Sequence, residues 1–265
     1  MFDLNAWITA LLPIGVLALV TWSVSVVKRD ASIVDSVWSL FFLGSAVAYS
    51  IAISDTGSRA VLMLVLVMLW ASRLSLYITW RNWGEAEDHR YRAIRARNEP
   101  YFTLKSLYLV FGLQGLLAWI ISLPLLAGIA SPQPLNLFDY AGAGLVLFGL
   151  TFESMADIQL SRFKSRAINR GRVLDTGLWR YSRHPNYFGE FCVWWGFYLI
   201  ALAAGGWWAV ASPLLMSFLL LKVSGVTLLE QDISERRPAY RDYMLRTNAF
   251  FPGPRREHVT EELHT

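Results

Sequence analysis

Apolar residues in this chain are gathered into seven long runs separated by polar segments. The runs cover residues 7–27, 33–54, 59–80, 107–130, 137–160, 187–204 and 207–229. A helix needs about 20 apolar residues to cross a hydrocarbon core of roughly 30 Å. Because a backbone in lipid must satisfy its own hydrogen bonds, each run is predicted to be a helix. The pattern predicts an all-α polytopic membrane protein with seven transmembrane helices, folded as one membrane-embedded domain over residues 1–265.

Positive charge alternates between the polar segments. Segments 28–30, 81–105, 161–186 and 230–265 contain 2, 6, 7 and 6 Lys and Arg residues, which is 21 of the 24 in the chain. Segments 1–6, 55–59, 131–136 and 205–206 contain Arg59 alone. Since Lys and Arg accumulate on the cytoplasmic side of membrane proteins, the N-terminus is predicted outside and the C-terminus in the cytoplasm. Topology therefore explains the net charge of +4, and nucleic acid is not predicted as a partner.

Composition narrows the possible chemistry. Hydrophobic residues make up 55% of the chain and charged residues 17%. The single cysteine, Cys192, excludes an intrachain disulfide and a cysteine-based metal cluster. The sequence contains no Walker motif, no His-Glu-x-x-His pattern and no nucleophile elbow. No metal site is therefore predicted.

Several ionisable residues lie within or at the edges of the apolar runs. They are Asp35, Arg73, Glu153, Asp157, Glu190 and Lys222. With the predicted orientation, all of them fall in the cytoplasmic half of the membrane. Snorkelling of a long side chain explains Lys222 equally well. Charged groups within a membrane pair with one another or line a wet cavity, so the carboxylates predict a polar pocket open to the cytoplasm.

The segment 180–190 has the densest combination of chemical groups in the chain. It reads Arg-Tyr-Ser-Arg-His-Pro-Asn-Tyr-Phe-Gly-Glu and leads directly into the sixth apolar run. Pro185 favours a turn at His184, and Asn186 stands where a helix N-cap would. One interpretation is a turn and cap whose arginines contact lipid phosphate. Glu190 favours a functional site instead, because a carboxylate one turn inside a membrane helix is costly without a partner.

The two long segments on the predicted cytoplasmic side are rich in Arg. Their arginines are Arg162, Arg166, Arg170, Arg172, Arg180, Arg183, Arg236, Arg237, Arg241 and Arg246. Guanidinium groups match phosphate oxygens in pairs. Contact with anionic lipid explains most of these arginines taken singly. A nucleotide cofactor explains the cluster better, because the interleaved tyrosines Tyr181, Tyr187, Tyr240 and Tyr243 offer rings for stacking.

Three motifs resemble a known superfamily. Arg183-His-Pro-Asn-Tyr-Phe-Gly-Glu190 with Trp194, and the tail Glu230…Tyr240-x-x-Tyr243…Phe250-Phe-Pro252, resemble the C-terminal half of the steroid 5α-reductase superfamily. Ile33-Val-Asp-Ser-Val-Trp38, with Arg73 and Glu87-Asp-x-Arg-Tyr91, resembles a mainly bacterial branch long catalogued as a domain of unknown function. The likeness covers nearly the whole chain. The C-terminal motif is partly shared with sterol ring reductases and isoprenylcysteine carboxyl methyltransferases.

The resemblance implies NADPH as the cofactor, with a hydride passing to the β-carbon of a 3-oxo-Δ4 steroid or a similar lipid enone. It implies a cofactor-binding half at about residues 137–254 and substrate-side helices at about 7–130. Asn186 and Glu190 match the residues that hold the nicotinamide end. The full set of implied cofactor-binding residues is Arg73, Arg162, Lys164, Arg172, Tyr181, Arg183, His184, Asn186, Tyr187, Glu190, Arg237, Tyr240 and Arg241.

The same resemblance places an acidic group of the second span near the substrate carbonyl, which in this chain is Asp35. The partner tyrosine of the third span aligns with Trp70, and the nearest phenol is Tyr77. The predicted catalytic residues are therefore Asp35, Tyr77 and Glu190. The predicted substrate contacts are Asp35, Trp38, Trp70 and Trp194.

Two other functions fit the same residues. One is an S-adenosylmethionine-dependent methyltransferase acting on a lipid-like acceptor, because the C-terminal motif is shared with such enzymes. The other is a non-catalytic membrane protein that binds lipid, since a fold does not fix a function. The number of spans and the acidic second span favour the reductase. The expected location is a bacterial inner membrane, with the active site open to the cytoplasm.

Overall fold

The computed structural model describes residues 2–223, 226, 230 and 239–256, and all the regular structure in these ranges is helical. The helices are α1 (Leu4–Thr9), α2 (Leu11–Lys28), α3 (Ile33–Ala52), α4 (Ser58–Asn82), α5 (His89–Asn98), α6 (Phe102–Ser106), α7 (Leu113–Ile121), α8 (Leu123–Ile129), α9 (Leu137–Lys164), α10 (Pro185–Ala203), α11 (Ala211–Phe218) and α12 (Ala239–Arg246). The predicted all-α class is confirmed. Arg236 and Arg237 lie outside the described residues.

Within the residues that the structure describes, five helical segments are long and apolar enough to cross a membrane. They are Leu4–Lys28, Ile33–Ala52, Ser58–Asn82, Phe102–Ile121 and Leu137–Lys164. They correspond to the first five predicted runs, and they make this a membrane protein. The sixth predicted run coincides with α10, and the seventh begins with a shorter apolar segment, Trp207–Val223. The count of seven spans and the orientation of the termini stay predictions.

The fourth long segment contains a turn of π-helix. Residues Leu107–Gly112 form this turn between α6 and α7. A π-turn holds one more residue than an α-helical turn, and such turns occur frequently at functional sites. The extra residue rotates the side chains of α7 by about 100° relative to those of α6, since an α-helix has 3.6 residues per turn. The rotation fixes which face of α7 carries Gln114, its second residue.

The chain folds into two compact units. Unit 1 contains residues 1–143 and 196–212, and unit 2 contains residues 144–195 and 213–265. The division falls inside α9, α10 and α11. The core of unit 1 is aromatic, and its fully buried rings include Phe41, Phe42, Trp70, Phe111 and Phe197.

A buried ion pair holds the beginning of α4 in unit 1. Arg59 and Asp139 have no exposed side-chain surface, and Nε of Arg59 lies 2.7 Å from Oδ1 of Asp139. The other arginine nitrogens donate to Oδ2 of Asp139, to Oγ of Ser131 and to the carbonyl oxygens of Gln133 and Pro134. Arg59 is the one cation of the segments predicted to lie outside. Its charge is neutralised by Asp139.

In unit 2, α9 and α10 approach closely at two glycines. A Cβ on Gly149 would lie 2.5 Å from the carbonyl oxygen of Gly189, and a Cβ on Gly189 would lie 2.7 Å from the backbone nitrogen of Glu153. Any larger residue at either position would push the helices apart. This contact brings the first turn of α10 against the second half of α9, where Asp157 lies.

The C-terminal segment is fastened to the loop that precedes α10. Ser182 donates through Oγ to the carbonyl oxygen of Phe250, 2.7 Å away. The hydroxyl of Tyr243, on α12, donates to the carbonyl oxygen of Trp179 at 2.5 Å. The loop and the tail of unit 2 therefore form one hydrogen-bonded layer, which sets the position of Arg183 and His184.

Candidate functional site

Asp35 anchors a chain of polar side chains in unit 1. It lies in the first turn of α3, and its Oδ1 accepts a hydrogen bond of 2.5 Å from the hydroxyl of Tyr91. Its Oδ2 accepts from Nη2 of Arg90 at 2.8 Å. Gln114 in turn donates through Nε2 to the Tyr91 hydroxyl oxygen at 3.0 Å. The carboxylate thus has one cationic and one phenolic partner, both on α5.

Further contacts fix α5 in place. Asp88 caps the helix by accepting from the backbone nitrogen of Arg90, and it also accepts from Nε of that side chain. Glu87 pairs with Arg95 at 2.7 Å and accepts from the backbone nitrogen of Ala31 at 2.8 Å. α5 is almost entirely polar, so it is held by these charge-assisted hydrogen bonds rather than by apolar packing. They orient Arg90 and Tyr91 towards the beginning of α3.

Burial and charge perturb the two α5 groups that contact Asp35. Burial raises the pKa of the Tyr91 phenol well above its ordinary value, and the neighbouring Asp35 carboxylate raises it further. Burial alone would lower the pKa of Arg90, but the charge of Asp35 and the contact with Asp88 raise it above the ordinary value for arginine. Arg90 is therefore a permanent cation, and Tyr91 keeps its proton at neutral pH.

The other residues predicted for the substrate side have different surroundings. The ring of Tyr77 lies beneath the guanidinium groups of Arg73 and Arg81, at 5.2 and 5.8 Å. The phenol that donates to Asp35 is Tyr91, which makes Tyr91 a further candidate for the phenolic acid, and the role of Tyr77 stays a prediction. Trp70 is fully buried in the core and makes an edge contact with Phe42, as does Trp38.

A second polar cluster in unit 2 is centred on Glu230. Both carboxylate oxygens accept from Arg183, through Nε at 2.7 Å and Nη2 at 2.8 Å. Nε2 of His184 lies 2.9 Å from Oε1 of the same carboxylate. Nη1 of Arg183 donates to the carbonyl oxygens of Met244 and Thr247. Because these contacts use four of its five N–H donors, Arg183 stabilises the loop and tail of unit 2, and its predicted contact with a cofactor phosphate stays a prediction.

The Glu230 cluster predicts how the stability of unit 2 depends on pH. Burial alone would raise the pKa of Glu230, but the hydrogen bonds from His184 and Arg183 outweigh it and lower the pKa from 4.5 to about 2. A lowered pKa means that the stabilisation is complete above pH 4.5 and is lost as pH falls towards 2. We expect thermal unfolding in detergent to show this acid-dependent loss for the native protein and a flatter profile for Glu230→Gln. The exposed Glu85 provides the control, and an equally flat profile for Glu85→Gln would contradict the assignment.

The first turns of α10 carry the residues predicted to hold a nicotinamide. Nδ2 of Asn186 lies 3.3 Å from Oδ1 of Asp157, and Nε1 of Trp194 donates to Oε1 of Glu190 at 3.0 Å. The ring of Tyr187 stacks on that of His184, with 5.6 Å between centroids. Asn186 and Glu190 are four residues apart and share one helix face, as their spacing predicts. Trp194 is fully buried, so it supports Glu190 from within the core.

The remaining predicted cofactor ligands are distributed over unit 2. The side chains of Arg162, Lys164, Arg172, Tyr181 and Arg241 are exposed. Tyr240 is buried, and burial together with the charge of Glu230 raises its pKa above the ordinary value for tyrosine. The exposed cations are suited to contact an anionic ligand, whereas Tyr240 belongs to the Glu230 cluster.

Sequence reasoning missed four of the residues that complete these clusters, namely Arg90, Tyr91, Gln114 and Glu230. Tyr91 and Arg90 stand in the motif Glu87-Asp-x-Arg-Tyr91 and Glu230 opens the tail motif, so their presence in motifs was the available signal. Gln114 lies in no motif. Its signal was its chemistry, since a lone amide in an apolar run needs a buried partner.

The fold and the two clusters define an all-helical membrane protein with a carboxylate–phenol pair in one unit and a carboxylate–guanidinium cluster in the other. The chain belongs to the family described as protein of unknown function (DUF1295), whose pattern matches residues 21–247. That family is part of the steroid 5α-reductase-like superfamily. The chain is also similar to an uncharacterized protein of Schizosaccharomyces pombe (strain 972), with 28% identity over 95% of this chain and 81% of the relative. No solved structure is detectably similar to it.

Proposed function

We propose that this protein is a membrane-embedded, NADPH-dependent reductase of lipid enones, with a 3-oxo-Δ4 steroid as the model substrate. The observation that carries the proposal is the hydrogen bond of 2.5 Å from Tyr91 to Asp35. A buried phenol beside a carboxylate is suited to donate a hydrogen bond to the carbonyl oxygen of a ligand. Because the helices are apolar enough to cross a membrane, an apolar ligand can reach the phenol from the lipid. Family membership supports the proposal.

The chemistry explains why the reaction needs such a group. Addition of a hydride to the β-carbon of an enone places negative charge on the carbonyl oxygen, and a donor aimed at that oxygen stabilises the transition state. Tyr91 is assigned as that donor, and its hydroxyl turns from Oδ1 of Asp35 to the carbonyl oxygen when the ligand binds. Asp35 is assigned to orient the phenol, and the Arg90 cation balances the charge of Asp35. A proton taken up at the α-carbon completes the reaction, which yields the saturated ketone and NADP⁺.

The residues of unit 2 fit a dinucleotide. Exposed Arg162, Lys164, Arg172 and Arg241 supply cations for its phosphates, and Asn186 and Glu190 supply an amide and a carboxylate for the carboxamide of the nicotinamide. NADPH, when bound, supplies the hydride, because no side chain can. The predicted orientation, with seven spans and a cytoplasmic C-terminus, gives the cluster access to cytosolic nucleotide.

The direct test uses the full chain purified in detergent, with NADPH and a 3-oxo-Δ4 steroid. We expect NADPH oxidation that depends on the steroid, together with a product that mass spectrometry shows to be heavier by two hydrogens. Tight binding of S-adenosylmethionine without NADPH binding would instead support the methyltransferase. Absence of both, with steroid still bound, would support a non-catalytic lipid-binding protein.

A second test concerns the 2′-phosphate of the cofactor. We expect NADPH to bind more tightly than NADH, because the exposed arginines can pair with that phosphate. Replacing an arginine that contacts it, for which Arg172→Ala is the first variant, should cost about 1.5–3 kcal/mol, or roughly 10- to 150-fold in affinity for NADPH. Isothermal titration measures both nucleotides, with the exposed arginine of α5 in Arg97→Ala as the control. Equal affinity of the native protein for the two nucleotides would contradict the proposal.

A further inference from the structure

Gln114 contacts Tyr91, the phenol that is assigned to donate to the substrate carbonyl. It is half-buried in α7, within the apolar segment Phe102–Ile121, and its Nε2 lies 3.0 Å from the hydroxyl oxygen of Tyr91. The π-turn Leu107–Gly112 lies immediately before α7. Without the extra residue of that turn, Gln114 would be rotated by about 100° about the helix axis. The backbone irregularity therefore brings the amide to the phenol.

The direction of each hydrogen bond follows from counting protons. A phenol has one proton and accepts through its oxygen. Tyr91 donates its one hydrogen bond to Oδ1 of Asp35, and Arg90 donates to Oδ2 of the same carboxylate. The contact with Gln114 is therefore one in which the amide donates and the phenol oxygen accepts. With that donor in place, the hydroxyl cannot turn its proton towards α7.

We propose that Gln114 is a positioning residue that fixes the side on which Tyr91 presents its proton and stabilises the phenol oxygen when the proton is given up. The proposal rests on the proposed function for its consequence in catalysis. Its geometric part concerns Tyr91 alone. In the reaction, the Tyr91 hydroxyl turns from Asp35 to the oxygen of the bound ketone and transfers its proton as the hydride adds, which gives the enol. The enol proton returns to the phenol oxygen when the α-carbon is protonated. In between, the amide N–H of Gln114 meets the negative charge on the phenol oxygen. Such donation to a developing anion is a preorganised stabilisation.

The alternative is that Gln114 merely satisfies its own amide and that Tyr91 behaves in the same way without it. Two substitutions separate the two possibilities. Gln114→Met keeps the length of the side chain and removes the donor, and Gln114→Glu replaces the donor with a carboxylate. Leu113→Met is the control, because Leu113 is the adjacent residue and its side chain is exposed on the apolar surface of α7.

The experiment places 2,3,5-trifluorotyrosine at position 91 of the full chain and follows its ionisation by fluorine NMR in detergent. Fluorine makes the phenol more acidic, so that it titrates while the protein is folded. We expect the titration midpoint to rise by about one pH unit in Gln114→Met, the value of one lost hydrogen bond to the anion, and to rise at least as much in Gln114→Glu. Leu113→Met should leave the midpoint unchanged.

An unchanged midpoint in Gln114→Met and Gln114→Glu would overturn the proposal. The titration needs neither nucleotide nor steroid, so its outcome is separate from that of the enone assay. A shifted midpoint in a protein that reduces no enone would retain the role of Gln114 and reject the reaction. If Gln114 has this role and the protein reduces enones, the Gln114→Met variant should keep its affinity for NADPH. The alkaline limb of its single-turnover rate should move to higher pH by as much as the titration midpoint of the phenol.

Discussion

Arg59→Met is expected to destabilise the protein by about 3–5 kcal/mol, the cost of leaving a buried carboxylate without its cation. Arg59 and Asp139 are both completely buried, and the arginine also donates to Ser131 and to two backbone carbonyl groups. Methionine fills most of the space but satisfies none of these acceptors. Unfolding in a denaturing detergent, followed by tryptophan fluorescence, measures the loss.

A double substitution shows whether the effect comes from the unpaired charge. Arg59→Met combined with Asp139→Leu removes both charges, and we expect it to recover part of the stability lost in Arg59→Met. Arg97→Met changes an exposed arginine of α5 and should have little effect. Equal stability of Arg59→Met and Arg97→Met would show that the ion pair contributes nothing to the fold.

Tyr91→Phe is expected to lower the single-turnover rate of enone reduction by about 100- to 10,000-fold, the usual contribution of a positioned proton donor. Phenylalanine retains the ring but cannot donate to a carbonyl oxygen. Binding of NADPH should be unchanged, because Asn186, Glu190 and the exposed cations assigned to the phosphates belong to unit 2. Stopped-flow oxidation of bound NADPH at saturating enone measures the rate separately from binding.

Tyr77→Phe is the matched comparison, because phenylalanine retains the ring through which Tyr77 contacts Arg73 and Arg81. Asp35→Asn should lower the rate as well, since the amide no longer balances Arg90 and can donate to the phenol instead of accepting from it. A normal rate in Tyr91→Phe, with a slow Tyr77→Phe enzyme, would return the catalytic phenol to Tyr77.

The sequence predicted Asp35 as a site residue but did not predict its partner, and the reason is physical. An acidic residue at the edge of an apolar run must have a partner, which marked Asp35 as functional before its partner was known. The partner, Tyr91, is 56 residues further along the chain. Tyr77 was predicted because it is the phenol nearest in sequence to Trp70, the position that aligns with the partner tyrosine of the family. Proximity along one helix does not show which side chains of different helices are in contact.

For Arg183, the sequence predicted a role but not the partner that the side chain has in the structure. Its motif and its many arginine neighbours favour a phosphate ligand, whereas in the structure it binds Glu230 and two backbone carbonyl groups. A guanidinium fork matches a carboxylate as well as a phosphate. The local sequence does not distinguish the two, because Glu230 lies 47 residues away.

The sequence by itself determined the helical class and the positions of the apolar runs, because the length and hydropathy of a segment decide whether it can satisfy its backbone in lipid. The tertiary structure decided which charges neutralise one another, as in Arg59 with Asp139 and Arg183 with Glu230. It also decided, through one extra residue in a π-turn, that Gln114 faces Tyr91. Hydropathy is a property of each segment taken alone, whereas ion pairs and hydrogen bonds depend on the rotation and depth of helices packed side by side.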